Sequence, residues 1–159
     1  MKILLLSILL SLELSINTFN NQAVIDYARK WCNSTNPYYN YYEEDDSSNF
    51  VTQSLIRGGI DFFGCKMDSK GSIREYNDLT KCLRDMGWYT YRFVTKEFKA
   101  GYPVLYGKMI AIATYVNGTE VKVCTHPRSF FREYPLCDVP DIQFGESVYF
   151  YPDIPEKNN

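Results

Sequence analysis

The chain has one histidine in 159 residues and no Cys-x-x-Cys pair. A structural zinc site needs several such ligands at short spacings, so a dedicated zinc module is not expected, and no other residue pattern implies a cofactor. Clustered positive charge is also missing. Lys and Arg number 17 against 19 Asp and Glu, a formal net charge of -2, with no stripe able to neutralise a phosphate backbone. That argues against nucleic acid as a partner. Long apolar runs are absent too: the longest, Ile3 to Leu14, is broken by Ser7, Ser11 and Glu13 and falls short of the ~20 residues a bilayer span requires. No internal repeat is present.

What is there begins with Lys2 ahead of that apolar run, the order of a charged n-region and an h-region in a secretory signal peptide. Residues 1–17 are read as that signal. No clear small-x-small site follows, so cleavage is placed only near Asn17 to Asn21. The expectation is an exported protein, secreted or held in the secretory pathway, with no membrane segment in its mature form. The length fits one domain, 21–152, followed by a polar, disordered tail, 153–159. A monomer is expected.

An oxidising compartment makes disulfides plausible among Cys32, Cys65, Cys82, Cys124 and Cys137. Local pairing favours Cys65 with Cys82 and Cys124 with Cys137, leaving Cys32 as a buried thiol; spacing alone leaves other connectivities open. Asn33-Ser34-Thr35 and Asn117-Gly118-Thr119 are N-glycosylation sequons. The acidic run Glu43 to Asp46 lacks the alternating oxygens and following glycine of a calcium loop and reads as solvated.

Val24, Tyr27, Ala28 and Trp31 recur at helical spacing, which predicts an amphipathic helix over 21–32 with Asn20 or Asn21 as cap. Pro37 and the tyrosines 38, 39, 41 and 42 then form a loop whose rings could stack on a ligand or pack over the core edge. A second helix is predicted over 48–57, stopped by Gly58-Gly59, and a third over 72–86, stopped by Gly87. From Trp88 onward short β-prone runs take over: 88–94, 104–106, 109–116, 119–125 and 148–151. This is α+β order, N-terminal helices packed on a C-terminal antiparallel sheet. With Asn117-Gly118 as a type I′ turn, Val116 would face Thr119 and Met109 would lie opposite His126.

The run Asp46-Ser47-Ser48-Asn49-Phe50-Val51-Thr52-Gln53, followed by Gly58-Gly59, resembles the nucleophile segment of the putative amidase domain family, distant relatives of the NlpC/P60 peptidases. Tyr27 to Cys32, Gly87-Trp88 and Phe98 to Pro103 extend the likeness over nearly all of the mature chain. The resemblance implies a papain-like, NlpC/P60-like frame with a catalytic cysteine at the start of a helix, where Ser47 stands here. Ile112-Ala113-Thr114 aligns the family's catalytic histidine with Met109, and Val123-Cys124-Thr125-His126 aligns its second histidine with His126. It also implies a peptide or cell-wall-type amide ligand, with Asp46, Asn49, Tyr41 and Tyr42 as candidate binding residues around the Ser47, Met109 and His126 positions.

The chemistry gives these departures their meaning. A helix N-terminus lowers a thiol's pKa, and a neighbouring imidazole makes the thiolate. Serine ionises far less readily, and a methionine thioether accepts no proton. The expectation is therefore a pseudoenzyme that keeps the frame and a ligand cleft. The alternative is an active amide or peptide hydrolase in which Ser47 attacks with His126 as base. Ser47 or Asp46 also has a plain structural reading as the helix N-cap.

Overall fold

A computed structural model describes residues 19–126 and 136–152. The signal peptide expected at 1–17 and the tail expected at 153–159 lie outside the described residues. Among the described residues three helices precede the strands: α1, Asn21–Trp31; α2, Ser47–Arg57; and α3, Tyr76–Asp85. Six strands follow, β1 Tyr89–Tyr91, β2 Pro103–Tyr106, β3 Met109–Asn117, β4 Glu120–Thr125, β5 Leu136–Pro140 and β6 Val148–Tyr151, with a short 3-10 turn at Asp141–Phe144. They form one antiparallel sheet in the order β1-β6-β2-β3-β4-β5. The α+β order read from the sequence is the architecture found. Among the described residues no helix is long and apolar enough to cross a membrane.

Helix α1 begins where Asn20 accepts a hydrogen bond from the Ala23 N–H through its side chain, satisfying one of the free donors of the first turn. Its buried stripe, Val24, Ile25, Tyr27 and Ala28, is close to the one the periodicity predicts. Helix α2 is buried from Ser47 through Leu55, polar residues included, which marks it as the central helix rather than a surface one. Thr52 and Ser54 avoid unpaired burial by bonding back along the helix, Thr52 to Ser48 O at 2.8 Å and Ser54 to Phe50 O at 2.9 Å, whereas the buried Ser48 hydroxyl has no partner. Helix α3 is shorter at its start than the predicted 72–86, because 66–72 instead folds into a loop around Asp68.

The sheet is buried on both faces. Ile110, Ile112, Cys124 and Phe150 pack with Val24, Phe50, Val51 and Leu55 on the helical side. Val104, Met109, Ala111, Ala113, Val121 and Val123 pack with Phe98, Tyr102, Tyr149 and Tyr151 on the other. Period-2 alternation of the strands explains this division.

Three sequence readings are corrected here. The β3–β4 turn is Gly118-Thr119, with Asn117 opposite Glu120 and Val116 opposite Val121. Gly118 has φ +58°, and Thr119 is not left-handed, the sign pattern of a type II′ turn rather than the type I′ turn expected of Asn-Gly. A bulge at Thr114 then shifts the register again, so that Ile112 faces Cys124. Met109 consequently does not pair with His126; its ladder partner is Tyr106 on β2.

The disulfides are the second correction. Cys65 pairs with Cys82 as expected, but Cys137 pairs with Cys32, 105 residues away, and Cys124 is the buried free thiol. Cys124 points into the helical side of the sheet, whereas Cys137 on the edge strand β5 meets the end of α1. The third is β5 itself, a strand missed because Leu136-Cys137-Asp138-Val139-Pro140 carries proline and aspartate in place of a β-branched run. Its bend at Asp138, φ +49°, is held by Arg29, whose Nε donates to the Asp138 carboxylate at 3.1 Å while its Nη2 donates to Thr114 O.

Candidate functional site

The start of α2 lies against the end of β4. Asp46 occupies the helix cap position but does not cap: its carboxylate turns away from the helical N–H groups. Asp46 Oδ1 accepts from the Tyr42 N–H at 3.0 Å and from Asn49 Nδ2 at 2.7 Å, and Oδ2 meets Nδ1 of His126 in a short buried contact. The N-cap reading is thus corrected for Asp46, and for Ser47 as well, because Ser47 is already the first helical residue. A carboxylate offered a buried imidazole gains more from that pairing than from backbone amides that water or neighbours can satisfy.

His126 is held from both ends. Its Nε2 lies 2.9 Å from the Trp31 carbonyl at the end of α1. A carbonyl can only accept, so Nε2 carries a proton and donates it; Nδ1 faces the Asp46 carboxylate. Phe50 covers the ring at a centroid distance of 4.4 Å, and Tyr41 approaches it edge-on at 6.3 Å. Neither nitrogen is left with a lone pair directed at Ser47. The ring is an anchor joining α1, α2 and β4.

Ser47 is fully buried. Its hydroxyl donates to Asp45 Oδ1 at 3.3 Å and accepts from the Ile110 N–H at 3.4 Å, both long contacts. Met109, at the position aligned with the family's base, is also buried and joins the apolar cluster on the face of the sheet away from the helices. Asn49 is buried, donating through Nδ2 to Asn40 O at 2.7 Å as well as to Asp46. Tyr42 is anchored: its hydroxyl donates to Asp68 Oδ2 at 2.7 Å, and Arg74 lies over its ring. Of the candidate binding residues only Tyr41 is exposed, by 55%.

The tyrosine loop is therefore built on Asp68, which no sequence pattern singled out. Asp68 accepts from Asn40, Tyr42 and the Lys70 and Ser72 N–H groups. Burial alone would raise its pKa, but these donors together outweigh burial and bring it below the ordinary carboxylate value. A cleft of about 720 Å³ opens beside this loop, its lining including Tyr27, Lys30, Trp31, Tyr38, Tyr39 and Arg57. Tyr27 in this lining is fixed by two hydrogen bonds, donating to Gln53 Oε1 at 2.7 Å and accepting from Asn36 Nδ2 at 2.9 Å. Burial is the main reason the Tyr27 pKa rises to about 12. Lys30, Arg57 and Gln53 were not legible as a group, because α1 and α2 must first be packed side by side. Among the described residues no group of three or more His, Cys, Asp or Glu could hold a metal ion.

Comparison with known proteins gives one match and two blanks. No curated protein matches the chain. No solved structure matches it either. The model of a family described as "Putative amidase domain" matches residues 18–124, well over half the chain, from just before α1 through Cys124 and so including Ser47 and Met109 but stopping short of His126. By that match, the chain belongs to the putative amidase domain family.

Proposed function

We propose that this is an exported member of the family that binds a peptide or a cell-wall-type amide without hydrolysing it. The observation that carries the reading is the engagement of both His126 nitrogens, one by Asp46 and one by the Trp31 carbonyl. A general base must reach the hydroxyl it activates with a free lone pair. Here the buried hydroxyl of Ser47 is directed to Asp45 instead. Met109 offers no proton acceptor in its place. An imidazole so pinned would have to break one buried and one part-buried contact to serve a serine, and even ~1 Å of misplacement costs on the order of a hundredfold in rate.

Export is supported by the charged, then apolar, N-terminus and by two disulfides, which persist in oxidising compartments. Ligand binding is supported by the aromatic cleft, where tyrosine and tryptophan faces can stack on a peptide or sugar while their polar edges hydrogen-bond it.

The experiment is an amide-release assay on the purified protein with muramoyl dipeptide and N-acetyl amino-acid amides, run beside Ser47→Ala and a fluorophosphonate serine probe. Equal, background release and no labelling are expected, with saturable calorimetric binding of muramoyl dipeptide. Turnover that disappears in Ser47→Ala, or probe labelling that disappears in His126→Ala, overturns the non-hydrolytic reading. Absence of saturable binding removes the ligand.

A further inference from the structure

We infer that Asn117 is an N-glycosylation acceptor and that the ring of Tyr115 seats the first sugar. The inference rests on the export proposed above, since the reaction takes place in a secretory lumen. The sequon Asn117-Gly118-Thr119 is a short pattern that says little alone. The fold puts it at the tip of the β3–β4 hairpin, with all three residues exposed. Asn117 is the last residue of β3, and Gly118-Thr119 makes the turn, so the amide and the Thr119 hydroxyl both lie at the exposed end of this hairpin.

The second sequon differs. Asn33 follows Cys32 directly, and its Oδ1 packs 3.1 Å from Sγ of Cys137 in the bridge. The Asn33 sequon is exposed as well, and what distinguishes Asn117 is its place beside a two-residue hairpin turn.

Tyr115 gives the hairpin site a further feature. Beyond the Thr114 bulge, residues 115 and 117 are two apart on one strand and point to the same face, about 6–7 Å from each other. Both are exposed, Tyr115 by 37%. Lys122, directly opposite Tyr115, lies over the ring with Nζ 5.2 Å from its centroid. That ring face already attracts a positively polarised group, and the axial C–H bonds of a pyranose carry the same polarity. A sugar attached to Asn117 can fold back over Tyr115, displacing a lysine whose surface contact contributes little.

The covalent step balances as follows. Nδ2 of Asn117 attacks the anomeric carbon of a lipid-linked pyrophosphoryl oligosaccharide, supplied with its transferase by the host. The C–O bond to pyrophosphate breaks, the lipid pyrophosphate leaves with the electron pair, and one amide proton is lost.

The test is secretion of the full chain from a eukaryotic cell, once with its own N-terminus and once behind a foreign signal peptide, followed by peptide-N-glycosidase and mass spectrometry. Asn117 should be converted to aspartate by the glycosidase, Thr119→Ala should abolish this, and Asn33→Gln should leave it unchanged. Tyr115→Ala, a surface change compatible with folding, should lower occupancy by about twofold or more. Secreted, folded protein unmodified at Asn117 overturns the site, and occupancy indifferent to Tyr115→Ala overturns the seat. A chain exported only behind the foreign signal yet glycosylated at Asn117 would sustain this inference while sinking the proposed export.

Discussion

Asp46 and His126, 80 residues apart in the chain, meet in a buried contact that ties the start of α2 to the end of β4. Both side chains are nearly sealed, 3% and 9% exposed. Removing one partner of such a pair leaves the other buried without its counterpart, at a cost of about 3–5 kcal/mol. His126→Ala and Asp46→Ala should each lower stability in urea by that order. Ser47→Ala should cost under about 1.5 kcal/mol, since its two contacts are long. A reversed ranking would mean that the hydroxyl, not the pair, organises this corner.

The two disulfides should contribute unequally. Cys32–Cys137 closes a separation of 105 residues and Cys65–Cys82 one of 17. In the chain-entropy account the longer loop stabilises by about 1.6 kcal/mol more. Denaturation of Cys137→Ser and Cys65→Ser should show the larger midpoint loss in the first, and equal losses would refute the loop-length reasoning for this fold.

Cys124 should be unreactive until the protein opens. It is fully buried, and burial pushes its thiol pKa up despite the hydrogen bond its sulfur accepts from the Asp138 N–H and its contact with the Thr114 hydroxyl, which work the other way. Titration with a disulfide reagent should find no thiol in the native protein and one in denaturant without reductant. Two further thiols in denaturant would mean an open bridge.

Stability should fall at both ends of the pH scale for identifiable reasons. Asp68 has a lowered pKa in the folded state: burial opposes this, and its four hydrogen-bond donors prevail. Its contribution is complete above the unfolded value near ~4 and fades as pH drops through the lower folded one. Asp68→Asn should therefore flatten the acid limb. Tyr27 and Tyr149 are raised to about 12, chiefly by burial. Their contribution is complete below ~10 and fades as pH climbs towards the folded values, so Tyr27→Phe should soften the alkaline limb. Thermal midpoints measured across pH check both.

Much of the site was readable as a list of residues and not as a geometry. The stripe of α1, the extent of α2 and five of the strands of the second half follow from periodicity and turn residues, which act over a few neighbours. Met109 beside His126 followed from counting outward from Asn117-Gly118, and that count failed twice. The turn moved by one residue, and the Thr114 bulge, supported by its hydroxyl bonding to Asp138 on β5, moved the ladder again. Nothing local to Thr114 announces a partner 24 residues later.

The sequence by itself determined that helices precede an antiparallel sheet, that a hydroxyl stands at the head of α2 and a thioether at the head of β3, and that only one imidazole exists to serve either. Tertiary structure alone decided that this imidazole is held between Asp46 and the Trp31 carbonyl, that Cys32 reaches Cys137, and that Lys122 lies opposite Tyr115. The division has a physical cause: spacing sets which side of a helix or strand a residue occupies, whereas partners far along the chain meet only when packing and register bring those sides together.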